Sequence, residues 1–160
     1  MATQVNVSGA ALVKVDTGAS HSLETLGYTR DGVEVRFEAR YLDVPSDDMG
    51  GEAGPPTEVQ YLGEIAVIRL ELTKYDPAVA NKIQRLYDQT PGQPGTPGTL
   101  LFSAAETYRL VIDCADTPLN FPRCFLRDAI EINKGTRFSR LLMVFEAHKD
   151  ASGVLWNNTV

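Results

Sequence analysis

The run Val15-Asp16-Thr17-Gly18-Ala19-Ser20, continued by His21-Ser22, comes closest to a reactive constellation in this chain. An aspartate at the tip of a loop, followed by Thr and Gly, can meet its own copy across a two-fold axis. Two carboxylates then share one proton and activate a water. The competing reading is a turn whose aspartate bonds its own backbone. The other chemistry-bearing residues are sparse. Cys114 and Cys124 read as two buried free thiols of a reducing compartment rather than as a bridge. His21 and His148 have no metal-ligand spacing with them and read as surface residues. Asp43, Asp47, Asp48, Glu52 and Glu58 follow one another without a Lys or Arg between them. Such hard oxygen donors suit calcium, but their spacing matches no calcium loop, and a solvated acidic loop is the commoner outcome. The Gly/Pro run at 91–98 lacks the lysine and preceding strand of a phosphate loop. The expectation is a chain with no metal, no cofactor and no enzymatic activity.

The elements that must carry these residues are mostly strands. Val33, Val35, Phe37, Ala39 and Tyr41 alternate with Glu34, Arg36, Glu38 and Arg40, the period of a half-buried strand. A turn at Arg30–Gly32 is expected to precede it. A second long strand is expected over Glu58–Thr73. Its apolar parity slips at Val67–Ile68, which predicts a β-bulge or strong bend there, or an outer face covered in its distal half. Between the two strands lies a long loop with Pro45, Gly50, Gly51, Gly54, Pro55 and Pro56. A two-residue turn would join the strands at lower entropic cost, so the loop reads as the end of a hairpin arm that reaches a partner. It cannot pack a core alone and is expected to be mobile in a free monomer.

Elsewhere Ala10–Val15 predicts a short strand and Asp16–Thr25 a turn. Tyr75–Gln89 predicts one amphipathic helix, N-capped by Asp76 with Pro77 in its first turn, laid against the sheet. Residues 90–99 read as a loop. Strands are expected at Thr107–Cys114, at Cys124–Asn133 after a Pro118–Pro122 turn region, and at Arg137–His148, the last apolar on both faces in its central part and therefore either a central strand or one with a covered outer face. The fold class is mainly β (α+β): an antiparallel β-sandwich or small barrel with one packed α-helix and a long hairpin arm.

A chain of 160 residues with 43% hydrophobic residues fits one domain, with residues 1–10 as a flexible arm. No run is long enough for a membrane helix, and the N-terminus lacks the basic and apolar parts of a secretory signal. The net charge of −6 argues against the usual basic nucleic-acid surface.

Two resemblances follow from the motifs. Val15–Ser20 resembles the active-site motif of retroviral-type aspartic proteases, although Tyr61-Leu62-Gly63-Glu64 is a poor substitute for their later apolar–apolar–Gly–Arg/Asp signature. A protease is therefore the alternative function. The run Leu26–Val35, with Gly27-Tyr28-Thr29 leading to Asp31-Gly32-Val33, resembles the opening of bacteriophage tail tube proteins. Ser46–Gly51 and Leu62-Gly63-Glu64 resemble their hairpin loop and return strand, and Asn120–Arg123 with Leu142–Ala147 their C-terminal half. This resemblance covers most of 26–155 and implies a single tail-tube-like domain over 1–160. It implies stacked, hexameric rings that form the tube through which DNA is ejected. Type VI secretion tube proteins and other tail-ring proteins share the fold. The implied partners are other copies of the chain, a sheath or terminator, a baseplate or tip, and a tape measure. DNA would pass without specific binding, no membrane is involved, and the site of action is the virion tail, assembled in the host cytoplasm. The inter-subunit loop would use Ser46, Asp47, Asp48, Met49, Gly50, Gly51, Glu52, Pro55 and Pro56. Glu34, Arg36, Glu38 and Arg40 would face the lumen, which is expected to be acidic and so to repel phosphates.

Overall fold

The structure is a computed structural model that describes residues 11–16, 22–84, 100, 107–114, 117–127, 131–133, 135 and 140–159. Its strands are β1 (Leu12–Asp16), β2 (Leu23–Val44), β3 (Glu58–Tyr75), β4 (Tyr108–Asp113), β5 (Leu119–Leu126), β6 (Glu131–Asn133) and β7 (Arg140–Ala147), with one helix, α1 (Pro77–Gln84). All pairings are antiparallel. The sheet runs β3-β2-β1-β4-β5-β7, and β7 pairs back onto β3, so six strands close a ring, with β6 added on β7. Closure leaves those six strands without a free edge along the barrel wall.

Alternation fills the barrel. Val13 and Val15, Leu110 and Ile112, Ile68, Leu70 and Leu72, and Leu141, Met143 and Phe145 are all at most 1% exposed and form one cluster. As expected, β7 is central, with β3 on one edge and β5 and β6 on the other. The helix adds Val79, Ala80 and Ile83 to the same cluster. Its start is fixed as its residues dictate: the Ala78 N–H donates to Asp76 Oδ1 at 2.8 Å, with Pro77 needing no such bond. Lys82 Nζ reaches both oxygens of Glu24 on β2 at 2.8 Å.

Several expected boundaries move. Asp31-Gly32 is not a turn before a strand but a bulge inside one continuous 22-residue strand. Thr29 pairs with Leu72 and Val33 with Leu70, so four steps of β2 oppose two of β3, and Gly32 takes φ +89°. The ends of the expected turn at Asp16–Thr25 belong to strands, Asp16 closing β1 and Leu23 opening β2, and its 17–21 stretch lies outside the described residues. The parity slip of β3 is real but does not sit at Val67–Ile68, where both ladders are regular. It sits at Leu62: Arg40 pairs with Gly63 and Tyr41 with Tyr61, leaving Leu62 extra. Gly63, at φ +118°, supplies the conformation that a side-chain-bearing residue rarely adopts. The expected turn at Pro118–Pro122 is part of β5, and the expected single strand to Asn133 is divided into β5 and β6. Pro122 is tolerated because β5 gains a residue on β4 there, Leu110 pairing with Phe121 and Tyr108 with Cys124. The helix is described to Gln84. Residues 1–10, 17–21, the 85–99 segment and 128–130 lie outside the described residues.

Candidate assembly surface

β2 and β3 are longer than the barrel that holds them. Pairing of β3 with β7 stops at Ala66↔Ala147, whereas β2 and β3 stay paired to Val44↔Glu58. Six steps from Glu38↔Ile65 to that last pair give an arm about 20 Å long. Along it apolar side chains recur on both faces, Tyr41 on one parity of β2 and Leu42 and Val44 on the other, without anything to bury them. Tyr41 is 61% exposed, Leu42 51%, Val59 52%, and Tyr61 and Leu62 56% each. The Tyr41 and Tyr61 rings pack on each other at 5.7 Å, and Phe37 packs against Trp156 at 6.0 Å. Neither pair is covered further: Phe37 and Trp156 remain 46% and 40% exposed. The burial expected from the alternation therefore holds for Val33 and Val35, which pack on the core, and fails from Phe37 outward.

The tip is folded locally. Asp47–Met49 and Gly51–Ala53 each form a 3-10 turn, with Gly50 between them. The Gly51 N–H donates to Ser46 O at 3.0 Å, and Thr57 donates from both its N–H and its Oγ1 to Val44 O at 3.0 Å. Asp47, Asp48, Glu52, Pro55 and Pro56 are all exposed, and Ser46 and Gly51 partly so. The predicted loop residues thus cluster at the far end of the arm, with no buried side chain among the turns' described residues.

Glu34, Arg36, Glu38 and Arg40 share the face of β2 opposite the core. Arg36 Nε lies 3.5 Å from Glu38 Oε1, and Glu34 pairs across the ladder with Arg69. With Arg69 included, this face carries two carboxylates against three guanidiniums, so it is charge-alternating rather than acidic.

At the root of the arm lie two shallow grooves. One, about 360 Å³, is lined by Tyr61, Glu64, Lys149, Val154, Leu155 and Trp156, together with Gly153. Its neighbour shares Glu64 and Lys149 and adds Arg40, Leu62 and His148. The segment carrying Trp156 is clasped to the barrel. Leu155 is buried in the core, and Asn120 and Asn157 exchange backbone hydrogen bonds at 2.9 Å. The Asn120 side chain, 5% exposed, accepts from Arg109 Nε at 3.0 Å and donates to Asn157 Oδ1 and Thr159 O at 2.9 and 2.8 Å.

The candidate chemistry is dispersed. Asp16 is 8% exposed and lies in β1 between Leu23 of β2 and Arg109 of β4. Cys124 is fully buried, its Sγ donates to Tyr108 O at 3.2 Å, and burial pushes its thiol pKa far up; Cys114 and Cys124 are not joined in a disulfide. His148 contacts Glu146 Oε1 at 2.7 Å and stacks on Phe125. Among the described residues no three His, Cys, Asp or Glu gather as a metal site, and no helix is long and apolar enough to cross a membrane.

Sequence reasoning missed Tyr61, Leu62, Lys149 and Trp156 as surface residues. Strand length was the available signal: 22 and 18 residues far exceed what a small barrel wall covers.

A closed antiparallel barrel with a projecting arm defines the class of fold, and solved structures share it. A chain from the virion of a native gene transfer agent particle matches with a TM-score of 0.52 and 15% identity, covering 94% of this chain and 95% of that one. A chain from the tail of an empty gene transfer agent particle, refined with C6 helical symmetry, matches with a TM-score of 0.52 and 16% identity, covering 93% and 95%. At this identity the likeness shows a shared fold. No protein-family model and no curated protein matches the sequence.

Proposed function

We propose that this chain is a structural subunit of a phage-type tail tube. Six copies close into a ring, rings stack, and DNA leaves through the lumen. The observation that carries this reading is the arm: a stable barrel extends about 20 Å of paired strand whose Tyr41, Leu42, Val59, Tyr61 and Leu62 stand in solvent. Exposed apolar side chains gathered on both faces of one projecting arm mark an association surface. The fold shared with a gene transfer agent tail chain, and the six-fold symmetry of that tail, support the ring and its number.

In this reading Ser46–Glu52 with Pro55 and Pro56 makes the contact between stacked rings, and Glu34, Arg36, Glu38 and Arg40 face the lumen. Glu38 beside Arg36 and Glu34 opposite Arg69 interrupt a continuous cationic track, so phosphates slide past without the counterion release that holds DNA. The partners are other copies of the chain and the sheath or terminator, baseplate or tip, and tape measure. The setting is the virion tail, assembled in the host cytoplasm.

Negative-stain microscopy of the purified protein tests the reading directly, with rings or tubes as the expected result. Replacing Ser46–Pro56 by a short Gly-Ser turn should leave circular dichroism unchanged and stop elongation. Normal-length tubes from the shortened chain would remove the loop from the contact, and a protein that stays monomeric at high concentration would remove the tube.

A further inference from the structure

We infer that the proline-tipped end of one copy's arm docks in the aromatic groove at the arm root of the next copy. This rests on the tube reading and names the receptor that the reading leaves open.

Three observations converge. The tip segment 43–58 carries Asp43, Asp47, Asp48, Glu52 and Glu58 and no cation. At the arm root, Lys149 lines both adjoining grooves and offsets Glu64 there, so the tip's carboxylates meet a cation beside the aromatic walls. Within the tip, Gly54-Pro55-Pro56 is stiff and extended. Gly54 has φ −91° and ψ 174°, and each residue that precedes a proline is pushed to extended backbone. A stiff proline segment docks on aromatic walls with little entropy to lose, and Tyr61 and Trp156 are two exposed aromatic walls of one groove.

The occupant is a second copy because a chain's own tip is held away from its own groove. The ladder runs unbroken from Tyr41↔Tyr61 to Val44↔Glu58, Thr57 clamps Val44 O, and no residue of 45–57 lines either groove. Tip and groove are different surfaces, so the contact is head-to-tail. Such a contact propagates from copy to copy instead of closing a two-fold dimer.

Trp156 is the chain's single tryptophan, so its fluorescence reads the groove. In the wild-type chain, assembled tubes should shield it from acrylamide, cutting the quenching constant at least threefold relative to the monomer. Lys149→Glu should shorten tubes at least tenfold, and so should Asp47→Lys with Asp48→Lys. Combining the three substitutions should restore at least half the wild-type length, which a misfolded variant could not do. Wild-type tubes in which Trp156 stays fully quenchable, normal tubes from Lys149→Glu, or a combination that fails to restore length would each overturn the docking while leaving the tube reading intact. Absence of any ring or tube from the wild-type chain would overturn both.

Discussion

The barrel and the arm share two strands, β2 and β3, yet they differ in what completes those strands. Between Leu23 and Val35, β2 pairs with β1 up to Tyr28 and with β3 from Gly27, and Leu26, Val33 and Val35 join the core of Val13, Ile68 and Leu110. From Phe37 the alternation runs on to Tyr41 and then changes face at Leu42 and Val44, and these apolar side chains meet one partner strand and then solvent. One chain thus contains a region whose hydrophobic pattern is satisfied internally and a region whose pattern is not. Burial stabilises at about 25 cal/mol per Å² of apolar surface removed from water, so the barrel gains this on folding and the arm can gain it only on association. The difference separates two kinds of mutation: those that unfold the subunit and those that leave it folded and alone.

Phe145→Ala should show the largest effect. Phe145 is fully buried in central β7, and truncating such a side chain typically costs about 3–5 kcal/mol. Denaturant titration should show that loss, and assembly should fail with the fold. Tyr41→Ala on the arm should instead change monomer stability by less than about 1 kcal/mol, the worth of one aromatic pair, while still reducing tube formation. If the two variants lost the same stability, the arm would be part of the folded core and the comparison would break.

Asn120→Ala probes the seam between the regions. The substitution leaves Arg109 Nε, Asn157 Oδ1 and Thr159 O without their common partner. The expected cost is about 1–3 kcal/mol, with Trp156 becoming more accessible to quencher because its segment loses a clasp. A smaller reporter separates opening of the barrel from opening of the arm. Burial holds the Cys124 thiol protonated and covered, so thiol reagents should label it only as the barrel unfolds. Tyr41→Ala should leave that labelling rate unchanged, and Asn120→Ala should raise it.

How far the sequence foretold this division can be judged strand by strand. The alternation in β2, the amphipathic start of α1 with its Asp76 cap, and the two-sided apolar character of β7 were legible because each follows from local spacing. Periodicity says that a face is covered, but not what covers it. Phe37 and Tyr41 therefore read as core although Phe37 is level with the last pair of β7 and Tyr41 lies past it. The parity slip in β3 was visible while its position was not, because apolar residues on both parities at Ile65–Ile68 masked a bulge that Gly63 makes possible. Pro122 read as a turn residue for the missing donor, and only the pairing of β5 shows a bulge that accommodates it. The groove at the arm root was invisible to local reading, since Tyr61 and Trp156 are brought together by the barrel's closure. The tip residues were readable from composition, whereas the contact proposed for them has no sign in their spacing.

The smallest expected effect belongs to Asp16, the residue with which a catalytic reading began. It lies inside the barrel half of the comparison, 8% exposed and flanked by β2 and β4, rather than on the exposed arm. Asp16→Asn keeps the side chain's size and an oxygen acceptor while removing the carboxylate that two copies would need to share a proton. Stability should change by no more than about 1.5 kcal/mol, the range of one hydrogen bond, and tubes should form with wild-type length and yield. A peptide-cleavage assay at acid pH on wild type and variant decides the matter. Cleavage by the wild-type chain that disappears in Asp16→Asn would revive the protease reading and give the barrel a function of its own. Equal assembly with no cleavage by either chain would leave Asp16 as a strand residue of the wall.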